Sequence, residues 1–299
     1  MNASVKLLEH VVPATVALRT IVPEDHPSAP ILGTERLGSG IIIDPAGLVL
    51  TVNYVVLGAT GVTIVLPDDT EITGRVAAQD FASGVAIVEA ARPTPGAVPV
   101  GRFADLAVGQ DVFIVAAASD NKRRVHDGGI TSLGPFDAYW EYSLDRAITT
   151  TASNPGVGGA PLFDLLGRVI GVVSLDLGEV GRFTLAIPTD FYTDYKDELL
   201  RHGRRTTRPP RAWVGLYCYT FREHVVVAGV LPGTPGEHGG LKAGDIVLAI
   251  DGTVVSHRGE LYTRLWEHRP GDQIQFRIYR TNEVKELTIT SGDAEAFFA

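Results

Sequence analysis

Residues 154–163 read Asn154-Pro155-Gly156-Val157-Gly158-Gly159-Ala160-Pro161-Leu162-Phe163. Glycines and prolines at this density break helices and central strands, so the stretch opens as a loop. Its glycines let successive backbone N–H groups face one point, where they could hold a carboxylate or carbonyl oxygen. The plainer alternative is that they only preserve a turn.

Outward from this loop, short β-type runs rich in Val, Ile and Thr recur about every dozen residues: 11–19, 39–44, 48–51, 62–66, 70–76, 85–90, 111–116, 146–151, 169–175 and 182–187. Asp44-Pro45-Ala46-Gly47 and Pro67-Asp68-Asp69-Thr70 have the composition of tight connections between strands. Residues 189–200 instead carry apolar side chains at helical spacing, with Thr189 or Asp190 as candidate cap. The chain of 299 residues predicts two domains, and 33 Gly with 18 Pro suit a mainly β, loop-rich body. The hydrophobic share of 45% and charged share of 20% exclude wholesale disorder.

Residues 201–211 hold five arginines, no acid, and the pair Pro209-Pro210, and read as a basic interdomain linker between residues 1–200 and 212–299. It is expected as a solvated hinge rather than an anion-binding patch, since no aromatics interleave. After it come β-type runs at 213–217, 225–231, 246–250, 273–280 and 283–290, with helix candidates before Gly240 and over 259–268. The net charge of −9 argues against nucleic acid as partner. No apolar run approaches the length of a membrane span. Cys218 is the only cysteine, which excludes an internal disulfide. The histidines lack metal-ligand spacing, and His126-Asp127 alone reads as well as a surface turn, so no metal or cofactor is expected. No signal segment is visible at the start. The expected compartment is therefore cytoplasmic if the N-terminus is native, and periplasmic or otherwise extracytoplasmic if a leader was removed.

Five segments in order resemble the HtrA/DegP family, a trypsin-like double β-barrel protease followed by a PDZ domain. They are Gly38-Ser39-Gly40-Ile41-Ile42-Ile43-Asp44, Thr51-Val52-Asn53-Tyr54-Val55-Val56, Gly128-Gly129-Ile130-Thr131-Ser132-Leu133-Gly134, the opening loop 154–163, and Ala186-Ile187-Pro188. Gly240-Leu241-Lys242-Ala243-Gly244-Asp245 and Ile250-Asp251-Gly252 resemble the PDZ part. The resemblance implies a chymotrypsin-like double β-barrel, then a small β-sandwich with two helices. It implies a polypeptide or protein C-terminus as partner, added as a strand beside Val214, Gly215, Leu216 and Tyr217 and packed against Leu261 and Leu265. Phe297-Phe298-Ala299 is expected as a free apolar end of the kind such domains read, or as a loose tail.

The resemblance places Tyr54 where the family has its histidine, Gly84 where it has its aspartate and Gly158 where it has its serine. A phenol is a poor general base near neutrality, and glycine offers no nucleophile. The expectation is a pseudoprotease, not an enzyme, that binds polypeptides as a scaffold or regulator, with Gly156, Val157 and Gly158 as a vestigial oxyanion loop. The alternatives are an active serine endopeptidase with a displaced constellation, using Ser153 or Ser174, and a subunit assembling with an active homologue or as a homotrimer. A serine or threonine hydroxyl against a histidine ring between the barrels would overturn the expectation. The loop 116–124 departs from the family, and Lys122-Arg123-Arg124 is expected as a solvated loop.

Overall fold

The structure, a computed structural model, describes residues 3–117, 122–154, 157–178 and 181–299, with side chains from residue 5 onward. The chain divides into two units, Met1–Pro135 with Asp145–Thr206, and Phe136–Leu144 with Thr207–Ala299.

In the first unit, helix α1 (Ala3–Val11) and a 3-10 turn precede β1 (Thr15–Ile21), with α2 (Ala29–Leu32) before β2 (Glu35–Asp44). Then follow β3 (Leu48–Val52), α3 (Asn53–Val56), β4 (Gly61–Val65), β5 (Glu71–Gln79) and β6 (Val85–Ala90). They close a barrel in the order β1-β2-β3-β6-β5-β4. Strands β7 (Asp111–Ala117), β8 (Arg123–Asp137), β9 (Ser143–Thr150), β10 (Pro161–Asp164), β11 (Val169–Asp176) and β12 (Thr184–Pro188) close the second barrel, in the order β10-β11-β12-β9-β8-β7. The mainly β double barrel is as expected. The apolar runs supply its core: Val16, Leu18, Ile41, Leu50, Ile64 and Ile87 are buried in the first barrel, and Ile114, Ile148, Leu162, Ile170 and Ile187 in the second. Such burial supplies the main drive to fold, at about 25 cal/mol per Å² of apolar surface.

Several local expectations are corrected. The run at 11–19 is helix and 3-10 turn up to Ala14 and strand only from Thr15. The helix at 189–200 splits into α4 (Asp190–Thr193) and α5 (Lys196–His202). Thr189 makes no cap bond, because its hydroxyl donates to the Gly101 carbonyl (3.2 Å). Arg123 is not a solvated loop residue: it opens β8, and its guanidinium donates to the carbonyls of Thr15 (2.9 Å) and Val65 (3.2 Å). In the basic stretch, Arg205 stacks on Tyr195 (3.4 Å) and Arg211 on Trp266 (4.2 Å), so these two guanidinium groups rest on rings rather than in open solvent.

The second unit is a sheet β13-β14-β15-β17-β18 with β16 beside β15. The strands are β13 (Leu216–Phe221), β14 (His224–Val230), β15 (Ile246–Ile250), β16 (Thr253–Val254), β17 (Gln273–Arg280) and β18 (Glu283–Thr290), with helices α6 (Pro235–His238), α7 (Arg258–Leu265) and α8 (Ala294–Phe297). The strand expected at 213–217 begins only at Leu216. Its core packs Leu216, Cys218, Val227, Leu261, Leu265, Phe276 and Ile278. Phe297 and Phe298 are not free: both rings pack on Trp213, at 4.9 and 5.9 Å between centroids.

Candidate functional sites

In the double barrel, the chain brings together the three positions matched to a catalytic triad. Tyr54 sits in α3 directly after β3, and its hydroxyl donates to the Ser174 carbonyl (2.7 Å). Burial pushes its phenol above the usual range, which keeps it protonated. The backbone N–H of the preceding Asn53 donates to the Gly84 carbonyl (2.7 Å), and Gly84 lies in the left-handed region at φ 78°. A Cβ at Gly158 would stand 1.9 Å from the Tyr54 hydroxyl oxygen, so Tyr54 fills the space a side chain there would need. The Gly158 carbonyl accepts from the Ser39 N–H (2.8 Å) and the Val157 N–H donates to the Asn154 side chain (3.2 Å). Gly156 of the expected oxyanion loop lies outside the described residues.

A serine does meet a histidine elsewhere in this unit. The Ser28 hydroxyl lies 2.7 Å from His26 Nδ1, within a short turn. Ser28 is buried, and its oxygen accepts from Arg36 (2.6 Å). A hydroxyl held in this way braces the turn behind Tyr54. Of the two alternative serines, Ser153 is exposed and Ser174 is 8% exposed.

In the second unit, the segment before β13 forms a cradle of amides. The N–H groups of Val214, Gly215 and Leu216 all donate to the carboxylate of Glu141, at 2.9, 2.7 and 3.2 Å. Gly215 has φ 82°, and a Cβ on it would meet Thr234 at 2.6 Å, so glycine is required there. Tyr217 and Cys218 lie at the edge of the sheet, where the Cys218 N–H donates to the Tyr139 carbonyl (2.6 Å) and Trp140 bridges Tyr217 antiparallel. Leu261 and Leu265, the expected pocket residues of α7, are buried in the core beneath this edge. Sequence reasoning singled out Val214, Gly215 and Leu216 but missed Glu141, which carries no motif. Burial pushes its carboxyl up to about 7, against the lowering effect of the three N–H bonds.

A trypsin-like peptidase domain family matches residues 38–172 and a PDZ domain family residues 202–290. The chain is 30% identical over 275 residues to a probable periplasmic serine endoprotease DegP-like of Halomonas elongata, covering 86% of this chain and 56% of that protein. This chain carries a peptidase domain of the HtrA/DegP family followed by a PDZ domain. A DegP-like relative of Ectopseudomonas mendocina is 28% identical over 276 residues, with 86% and 56% covered. The HtrA-family chain thus spans about half the length of the curated relatives it matches. Among solved structures, the HtrA-type protease AlgW with tripeptide shares its fold at TM-score 0.60 and 24% identity, covering 98% of this chain and 97% of that one. The serine endoprotease from Yersinia pestis does so at TM-score 0.57 and 22% identity, with 98% of each covered.

These relatives correct one expectation. The HtrA-family chain was expected not to be an enzyme, yet the curated relatives across both of its domains are named serine endoproteases. The relatives are also named periplasmic. No helix among the described residues is long and apolar enough to cross a membrane.

Proposed function

We propose that this chain, an HtrA-type protein of the serine endopeptidase class, recognises polypeptides by their carboxylates at the PDZ cradle of Val214, Gly215 and Leu216. One observation carries the reading: three consecutive backbone N–H groups converge on a single carboxylate beside a sheet edge. Main-chain bonds along β13 supply affinity, and the cradle supplies the preference for an anion. The test is binding of carboxyl-terminal peptides to the full chain and to its Glu141→Ala variant, each peptide with a free and an amidated end. Free-acid peptides are expected to bind and amidated ones to lose at least tenfold. Equal binding of the two forms, or binding of neither to either protein, overturns the reading. The relatives' names favour the periplasm as its compartment.

A second reading follows from the same names: peptide-bond hydrolysis by a constellation displaced from Tyr54, Gly84 and Gly158. That trio offers no serine hydroxyl and no imidazole for acyl transfer, and the Tyr54 phenol is held protonated. Hydrolysis by this chain therefore uses other groups, and Ser153 is the exposed candidate. A fluorophosphonate probe followed by peptide mass mapping is expected to label Ser153 or Ser174. Absence of label on every serine sinks this reading and leaves the first intact.

A further inference from the structure

The carboxylate in the cradle belongs to this chain itself. Residues Phe136–Leu144, which connect β8 to β9, are part of the second unit. They lie along the edge of β13 as an incoming peptide would. The Tyr139 carbonyl accepts from Cys218 N–H (2.6 Å), Trp140 pairs antiparallel with Tyr217, and the Ala138 carbonyl accepts from the buried Tyr262 hydroxyl (2.9 Å). The segment is closed on itself by a bond from Ala138 N–H to the Tyr142 carbonyl (2.9 Å). Asp137 packs so closely on Gly259, at the start of α7, that a Cβ there would stand 2.6 Å from its carboxylate. A cradle of three amides has room for one carboxylate, and Glu141 takes all three donors.

We propose that residues 138–141 are an internal ligand of the PDZ groove, with the Glu141 side chain holding the place of a peptide's terminal carboxylate, so that an external polypeptide binds only by displacing this segment. The inference rests on the reading of the groove as a carboxylate site. A tethered ligand acts at an effective concentration in the millimolar range. It lowers the apparent affinity for an outside peptide by the fraction of time the cradle is free. Docking and peptide binding are therefore mutually exclusive, and any change that weakens Glu141 strengthens the peptide.

The structure also supplies the probe. A labelled synthetic pentapeptide of residues 136–140, Phe-Asp-Ala-Tyr-Trp, ends with a free carboxylate one residue before Glu141 and can reproduce the main-chain register. Fluorescence polarisation on the full chain is expected to show Kd at least tenfold lower for Glu141→Ala than for the unmodified protein, with the amidated pentapeptide binding neither. Amide exchange at Val214, Gly215 and Leu216 gives a readout that needs no peptide: protection in the unmodified chain and faster exchange in Glu141→Ala. Equal affinities with unchanged exchange overturn the internal ligand and leave the carboxylate site standing. Failure of the free-acid pentapeptide to bind either protein overturns the carboxylate site and the internal ligand together.

Discussion

The Tyr54 hydroxyl oxygen occupies the place of a side chain at position 158, 1.9 Å from where the Cβ would be, with the Tyr54 Cζ at 2.5 Å from the same point. The two positions are coupled sterically: tyrosine at one requires glycine at the other. Gly158→Ala is therefore expected to destabilise the barrel unit by about 1–3 kcal/mol through overpacking. The same change in a Tyr54→Ala background is expected to be close to neutral. Denaturant unfolding of the four proteins of this cycle measures the coupling, and an equal effect of Gly158→Ala in both backgrounds contradicts the contact.

Gly84 is bound to its place by conformation rather than by crowding. At φ 78° it donates to the Asp80 carbonyl (2.7 Å) and accepts from Asn53 N–H (2.7 Å). Gly84→Ala is expected to cost about 1–2 kcal/mol in thermal or denaturant unfolding, the penalty of a left-handed residue with a Cβ. Gly84→Asn, which tolerates that region better, is expected to cost less. An aspartate introduced here starts with the same backbone strain, whereas a side chain at position 158 needs Tyr54 changed first.

Arg36 is the brace behind Tyr54. It is 6% exposed, and its guanidinium donates to the carbonyls of Gly33 (3.1 Å), Tyr54 (2.9 Å) and Leu57 (2.8 Å) and to the Ser28 hydroxyl (2.6 Å). Burial depresses its pKa, yet the cation is held by four acceptors. Arg36→Met leaves those acceptors unsatisfied and is expected to cost about 2–4 kcal/mol. Arg36→Lys recovers only part, since an ammonium cannot reach as wide a set of acceptors. Urea unfolding reads both, and a loss below half a kcal/mol for Arg36→Met would remove the brace.

The strands most legible in the sequence are those with unbroken β-type runs. Val85–Ala90, Gln273–Arg280 and Glu283–Thr290 have the bounds expected from their β-type runs, the last two with apolar residues alternating with polar ones. Tyr54 and Gly158 come from motifs far apart in the sequence, and the backbone places the Tyr54 ring against Gly158, while the Asn53 N–H bonds the Gly84 carbonyl. Two strands left no such trace. Arg123–Asp137 is long, polar and interrupted by glycines, and its strand character comes from pairing with β7. Pro161–Asp164 is short, opens with proline and is fully buried between β7 and β11. The helix expected at 189–200 breaks at Tyr195, whose φ of −125° lies outside the helical range, next to Asp194, whose carboxylate pairs with the Arg102 guanidinium (3.0 Å), a tertiary contact that local spacing does not encode. Glu141 was invisible for a related reason: a single carboxylate in a loop acquires its meaning only from amides more than 70 residues later.

The ion pair of Arg280 and Asp245 tests how the PDZ unit is held. Both guanidinium bonds to the carboxylate are 2.6 Å, Arg280 also donates to the Gly240 carbonyl (2.7 Å), and Asp245 is fully buried. The carboxylate partner raises the Arg280 pKa. Arg280→Met strands a buried charge and is expected to cost about 3–5 kcal/mol, whereas the double variant Arg280→Met with Asp245→Asn is expected to recover part of that loss. Unfolding followed by the fluorescence of Trp213 and Trp266 measures it, and purely additive effects would mean that the two side chains act separately.

Acidity acts on the internal ligand with a definite sign. Docked, the Glu141 carboxyl is pushed up to about 7 by burial, whereas in the released segment it returns to the ordinary carboxylate range. The docked state therefore binds the proton more tightly, so docking strengthens as pH falls through 7 and weakens as pH rises above it. Cys218, Tyr262 and Tyr217 keep their protons over that window. Burial pushes Cys218 up to about 11 and also raises Tyr262, while Tyr217 is raised by burial and by Tyr139. Arg258 acts on both Cys218 and Tyr262, and Asp137 on Cys218. Between pH 8 and pH 5.5 the pentapeptide of residues 136–140 is expected to lose roughly tenfold more affinity for the unmodified chain than for Glu141→Ala. The peptide's own carboxylate titrates alike in both proteins, so the difference isolates Glu141. Parallel pH profiles for the two proteins would show that its proton plays no part in closing the groove.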